Sequence, residues 1–119
     1  KKDIILNTKG ETKRSYLYTE DAAKAIITIL KEGISGEAYN VANEDTYCSI
    51  YEMALLVAQK CAHNKISVKI KENTNENLGY APVLHMNLDT SKIRKLGWKP
   101  SYGLEEMFEK MIDSMKMLI

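Results

Sequence analysis

The order of strand-like and helix-like segments constrains the fold of this chain more than any other feature. Thr19 is a good helix N-cap, and Gly33 is suited to end the helix that follows it. Ser49 and Glu52 match a capping box at the start of a second helix. The first helix is predicted to turn five apolar residues toward a core: Ala22, Ala23, Ile26, Ile27 and Leu30. Strand, helix, strand and helix in this order predict an α/β domain.

Short apolar runs predict the strands. Ile4–Leu6 and residues 14–18 flank a turn-forming stretch, so we expect these two strands to pair as a hairpin. Residues 38–42 form an apolar run without clean alternation, which is typical of a strand covered on both faces in a parallel sheet. Further strands are predicted at 67–71 and 83–88, and further helices at 90–96 and 104–115. The expected fold is a small mixed sheet with about four helices.

Composition limits the possible functions. Hydrophobic residues make up 45% of the chain and charged residues 28%, which is ordinary for a globular domain. The net charge is +1 and the cations are spread along the chain, which argues against nucleic-acid binding. No apolar run approaches the ~20 residues of a membrane span. Cys48 and Cys61 are expected to be free thiols in a reducing, cytoplasmic environment, and the two histidines lack metal-ligand spacing with them.

Four segments carry a resemblance to a known family. Residues 14–26 read RSYLYTEDAAKAI, 36–42 read GEAYNVA, 49–54 read SIYEMA and 88–100 read LDTSKIRKLGWKP. In this order they resemble motifs of extended short-chain dehydrogenases/reductases that act on nucleotide sugars. Within that family, the four segments are similar to the dTDP-glucose 4,6-dehydratase-like and related epimerase sequences. The resemblance implies a Rossmann-type, NAD-dependent epimerase or dehydratase whose ligand is a nucleotide-diphosphate sugar. It leaves the oligomeric state open and is compatible with a homodimer.

Two catalytic signatures of that family do not occur in this sequence. The glycine loop that receives the NAD pyrophosphate should lie between a strand and a helix, whereas Gly33 and Gly36 follow a predicted helix. None of the seven tyrosines has a lysine four residues later, so the family's Tyr-x-x-x-Lys pair is absent. The chain also begins without Met, directly before a strand. We therefore expect residues 1–119 to be the C-terminal substrate-binding domain of a longer enzyme, with NAD and the catalytic tyrosine supplied from upstream.

The resemblance also points to substrate-binding residues. Arg14 matches the family's diphosphate-binding arginine, and a guanidinium meets phosphate oxygens through a two-pronged contact. His85 stands near the position where many relatives carry a second such arginine, so a fixed charge is replaced by an imidazole whose charge depends on pH. Asn87 is predicted to share the face of His85. Tyr16 and Tyr80 are candidates for stacking on a base or sugar.

Each assignment has a simpler alternative. Arg14 can be a solvated strand-end residue paired with Glu11 or Glu20, and His85 can be a surface or interface residue. For the whole chain, the alternatives are a stand-alone nucleotide-binding or protein-interaction module without catalysis, and a structural piece whose apolar faces pair with another subunit.

Overall fold

The computed structural model describes residues 2–71 and 82–118. Within these residues the strands are β1 (Ile4–Leu6), β2 (Lys13–Arg14), β3 (Cys48–Ser49) and β4 (Val68–Ile70). The α-helices are α1 (Thr19–Glu32), α2 (Ile50–Leu56), α3 (Ser91–Arg94) and α4 (Leu104–Lys116). The mixed α/β class with four helices is confirmed.

The strands pair over long sequence distances, and the predicted hairpin is wrong. β1 pairs in parallel with β4, and β2 pairs antiparallel with β3. The reason lies at Gly10, whose carbonyl accepts a hydrogen bond from the Tyr51 N–H at 3.1 Å. Gly10 has a φ of +65°, and a Cβ there would lie 2.8 Å from the Tyr51 nitrogen. Because glycine tolerates both conditions, the chain runs along the start of α2 and does not fold back on β1.

The helix ends follow local chemistry in most places. In α2, the Ser49 hydroxyl accepts the Glu52 N–H at 3.0 Å, and the Glu52 carboxylate accepts the Ser49 N–H at 2.9 Å, so the predicted capping box is confirmed. Gly33 ends α1 as predicted. The N-cap prediction at Thr19 is wrong by one residue, because the Tyr18 carbonyl already accepts the Ala22 N–H and Thr19 is the first helical residue.

A small core holds α1 against the segment that contains α3. Ala25, Ile93 and Trp98 are buried together. Partly buried apolar residues pack around them: Leu17, Ile29, Tyr39, Val41 and Leu96. Below this core, the fully buried Asp21 accepts the N–H groups of Ser101 and Tyr102 at 3.0 and 3.1 Å. α1 is therefore tied to the chain on both sides of Pro100.

Three sequence predictions of burial or of strand structure fail. Ile26, Ile27 and Leu30 were expected in the core but are exposed, because the described neighbours pack on the side of the helix that carries Ala25. Residues 38–42 form no strand, since no described strand lies beside them. The predicted strand at 83–88 is likewise reduced to one bridging residue.

Candidate functional site

The candidate site is built around β2, which has neighbours on both sides. On one side, Arg14 is opposite Cys48 of β3. On the other side, the Lys13 N–H donates to the Leu84 carbonyl at 2.7 Å, and the Met86 N–H donates to the Lys13 carbonyl at 2.9 Å. These two bonds set His85 opposite Lys13 in a parallel bridge. The structure therefore brings Arg14 and His85, 71 residues apart in sequence, onto adjacent extended segments.

The register also decides which side chains share a face. Paired residues lie on the same face of a sheet, and consecutive residues lie on opposite faces. Lys13, Ser49 and His85 therefore form one row, whereas Arg14 and Cys48 belong to the other face. Arg14 and His85 are neighbours in the sheet, but the register does not direct them toward the same atom of a ligand.

The Arg14 side chain is exposed, and among the described residues no carboxylate forms an ion pair with it. Glu20, one of its predicted surface partners, instead lies 3.7 Å from Lys24. The guanidinium is therefore available to an anion from outside the described chain.

Tyr16 is two residues after Arg14, so the alternation of an extended segment puts the two side chains on the same face. Its backbone N–H donates to the buried Thr46 hydroxyl at 2.6 Å, which holds the segment against the turn that precedes β3. Burial raises the pKa of the Tyr16 phenol; Cys48 adds to this increase, whereas the charge of Arg14 opposes it. The phenol is therefore protonated at neutral pH and can donate a hydrogen bond beside the guanidinium.

The thiol on the Arg14 face is not activated. Burial, followed by the negative charge of Glu52, raises the pKa of the Cys48 thiol. Cys61 is also a free thiol, and burial again is the first cause of its raised pKa. A protonated thiol is a weak nucleophile, so neither cysteine is suited to covalent chemistry.

The structure does not place the remaining predicted site residues, Asn87 and Tyr80, on the strands around Arg14. Asn87 is exposed and lies two residues beyond His85, outside the strands. Tyr80 lies outside the described residues. Two further residues near Arg14 were not predicted from the sequence. Lys13 lies beside His85, and its charge adds to the hydrogen bonds of Ser49 that lower the pKa of Glu52. Its position next to Arg14 was the available signal. Ser15 has a buried hydroxyl with no hydrogen-bond partner within the described residues.

A separate open cavity of about 360 Å³ lies at the end of the helical segment that follows α2. It is lined by Lys2, Cys61, Ala62, His63, Lys65 and Ile66. Of the predicted site residues that the structure describes, none lines this cavity. In residues 2–71 and 82–118, no cluster of three or more His, Cys, Asp or Glu side chains is placed to hold a metal ion. Each helix of the same residues is too short or too polar to cross a bilayer.

Solved structures place the fold among the Rossmann-type short-chain dehydrogenases/reductases. RMD from Pseudomonas aeruginosa, complexed with NADPH, superposes with a TM-score of 0.78 at 17% identity, covering 98% of this chain and 37% of that one. UDP-glucose 4-epimerase from Thermotoga maritima, with UDP-glucose, gives a TM-score of 0.75 at 21% identity, covering 98% and 35%. The chain thus has the architecture of one part of an extended enzyme of this class.

Sequence comparison identifies the family within that class. dTDP-glucose 4,6-dehydratase 1 from Escherichia coli K12 is 28% identical over 122 residues, or 94% of this chain and 32% of that protein. dTDP-D-glucose 4,6-dehydratase from Bos taurus is 31% identical over 110 residues, or 87% and 29%. The family model described as GDP-mannose 4,6 dehydratase matches residues 1–111, and the chain belongs to this family of extended short-chain dehydrogenases/reductases. It spans about a third of the length of these relatives.

Proposed function

We propose that residues 1–119 are the C-terminal substrate-binding domain of an NAD-dependent nucleotide-sugar dehydratase or epimerase, in which Arg14 holds the substrate diphosphate. The observation that carries the proposal is the exposed guanidinium on β2, which has no ion-pair partner among the described residues. Relatives named as dTDP-glucose 4,6-dehydratases, and a structural neighbour that holds UDP-glucose, support a nucleotide sugar as the ligand.

In this proposal each side chain of the site makes a different contact with the nucleotide sugar. Arg14 offers charge-assisted hydrogen bonds to phosphate oxygens in a fixed fork geometry. The protonated Tyr16 phenol adds a neutral donor or a stacking surface beside it. His85 and Asn87 belong to the extended segment that flanks β2 on the side away from β3. We therefore assign them, together with Tyr80, to secondary contacts along the ligand. Holding the diphosphate fixes the sugar ring relative to the reacting groups, and such positioning lowers a reaction barrier.

The glycines after α1 are not suited to bind NAD. Gly33 ends α1 and Gly36 follows it, and among the described residues no α-helix begins directly after them to receive a pyrophosphate. The cofactor and the proton-transferring tyrosine are therefore assigned to the rest of the enzyme. The prediction is that the 119-residue chain, given NAD and dTDP-glucose, forms neither NADH nor a 4-keto sugar. Absorbance at the NADH band and mass spectrometry of the sugar nucleotide are the measurements, and a turnover product from the pure chain would contradict the assignment.

The Arg14 assignment is tested by calorimetric titration of the chain with dTDP and UDP. We expect Arg14→Ala to weaken the binding of both nucleotides by about 10–100-fold, because a hydrogen bond to a charged group contributes about 1.5–3 kcal/mol. Arg14→Lys should fall between the wild type and Arg14→Ala, since it keeps the charge and loses the fork.

The matched control is Arg94→Ala. Arg94 belongs to α3 and not to the strands of the site, and its guanidinium donates to the Thr90 hydroxyl at 3.0 Å, so its removal should leave nucleotide affinity unchanged. Equal affinity of the wild type and Arg14→Ala, with both chains folded by circular dichroism, would remove Arg14 from the site.

A further inference from the structure

The pairing of β2 with β3 ends two residues before Tyr16. The two strands are antiparallel, with Arg14 opposite Cys48, and the same register continued by two residues sets Tyr16 opposite Thr46. β3 does not extend back to that point, because Glu44–Thr46 form a short 3₁₀ turn. Within this turn the Thr46 N–H already donates at 3.1 Å to the carbonyl that precedes the turn. The backbone of Thr46 therefore does not continue the strand pair.

The Thr46 side chain takes the place of the strand partner. Its hydroxyl accepts the Tyr16 N–H at 2.6 Å and lies 2.8 Å from the Tyr16 carbonyl, to which it can donate. The Asn43 carbonyl is also 2.8 Å away, but it already accepts the Thr46 N–H, whereas the Tyr16 carbonyl has no other partner among the described residues. One hydroxyl thus offers Tyr16 both the acceptor and the donor that a strand residue supplies with its backbone.

The turn that carries Thr46 is fixed to the core. Asn43, at the start of the turn, is buried, and its side-chain nitrogen donates to the Tyr102 carbonyl at 2.9 Å. The Tyr102 N–H is bonded in turn to the buried Asp21 of α1. Because Thr46 is only 3% exposed, water has little access to its hydroxyl. The hydroxyl therefore holds Tyr16 from a position that the core determines.

We propose that Thr46 is a positioning residue of the nucleotide-sugar site, which acts by holding Tyr16 in the strand register beside Arg14. The role rests on the proposed function, and it is given to a buried residue that does not itself touch the ligand. In this register the phenol lies on the face of Arg14. Without the hydroxyl, the segment between β2 and α1 would lose its partner on this side, and the ligand would have to order the phenol on binding.

Calorimetric titration of the 119-residue chain with dTDP tests this role. Thr46→Val has a similar shape without the hydroxyl and should weaken binding by about 3–10-fold, whereas Thr46→Ser keeps the hydroxyl and should stay within about 2-fold of the wild type. Tyr16→Ala should weaken binding about as much as Thr46→Val. In the Tyr16→Ala background, Thr46→Val should add less than about 2-fold, because both changes remove the same contact.

Trp98→Phe is the control for a general loss of stability. Its core neighbours and its hydrogen bond do not include Arg14, Tyr16 or Thr46, so it should leave dTDP affinity unchanged. Wild-type affinity in Thr46→Val would overturn the proposal. An equal loss from Thr46→Val with and without the Tyr16 side chain would also overturn it, because the effect would then not pass through the phenol.

Amide hydrogen exchange at Tyr16, measured without nucleotide, tests the hydrogen bond directly. The Tyr16 N–H should be protected in the wild type and should exchange at least about 10-fold faster in Thr46→Val. Rapid exchange in the wild type would overturn the proposal even if Thr46→Val did not fold. Equal dTDP affinity of the wild type and Arg14→Ala would remove the proposed function and this role with it. Weak binding by Arg14→Ala together with normal binding by Thr46→Val would remove only the role of Thr46.

Discussion

Asp21→Ala is expected to lower the free energy of unfolding by about 3–5 kcal/mol. The fully buried Asp21 carboxylate accepts the N–H groups of Ser101 and Tyr102, one on each oxygen. Hydrogen bonds to a charged group contribute about 1.5–3 kcal/mol each, and removal of the acceptor leaves both donors without a partner. The carboxylate also lies in the first turn of α1, where it interacts favourably with the positive end of the helix.

Urea unfolding followed by circular dichroism measures this effect. Asp21→Asn should cost less, because its amide oxygen still accepts one of the two N–H groups. Asp45→Ala removes an exposed carboxylate that forms no hydrogen bond or ion pair with another described residue, so it should change stability by less than about 0.5 kcal/mol. If Asp21→Ala were as stable as Asp45→Ala, the link between α1 and residues 101–102 would not contribute to the fold.

Trp98→Ala should be equally damaging, with a loss of about 3–5 kcal/mol. The indole is buried with Ala25 and Ile93, and truncation of a buried tryptophan leaves a cavity that its neighbours fill only in part. The ring nitrogen also donates to the Asp21 carbonyl at 3.1 Å. Because a natural protein of this size is usually stable by only about 5–15 kcal/mol, the variant should be partly unfolded at physiological temperature.

Trp98→Phe separates the two contributions. Phenylalanine keeps most of the apolar contact and loses the N–H donor, so we expect a loss of about 1–3 kcal/mol, well below that of alanine. Thermal unfolding should be followed by circular dichroism, because Trp98 is the only tryptophan in the chain. Equal losses for the alanine and phenylalanine variants would show that the hydrogen bond, and not the packing of the ring, holds α3 against α1.

The sequence predicted the features that neighbouring residues control. The Ser49–Glu52 capping box, the end of α1 at Gly33 and the strands β1 and β4 depend on local hydrogen bonding and on local apolar patterns. The family could also be identified from the sequence, because its motifs are short, continuous stretches of residues. Arg14 was singled out in this way, and its place in the site stays a prediction that the titration tests.

The pairing of the strands, and the face on which each candidate site residue lies, could not be predicted from the sequence. β1 joins β4 because the close approach of Gly10 to Tyr51 diverts the chain, and that contact joins residues 41 positions apart. The register then places His85 opposite Lys13 and not opposite Arg14. A shift of one residue would have reversed this arrangement, and no local pattern distinguishes the two registers.

α1 shows the division most clearly. Its sequence alone predicted a helix that begins near Thr19, ends at Gly33 and carries one apolar face, with Ile26, Ile27 and Leu30, toward the core. Which side is buried depended on Ile93 and Trp98, more than 60 residues away, which pack on Ala25 and leave Leu30 exposed. Periodicity describes the surface of one helix, whereas burial depends on the other elements that reach it, so only the tertiary structure could decide between the two sides.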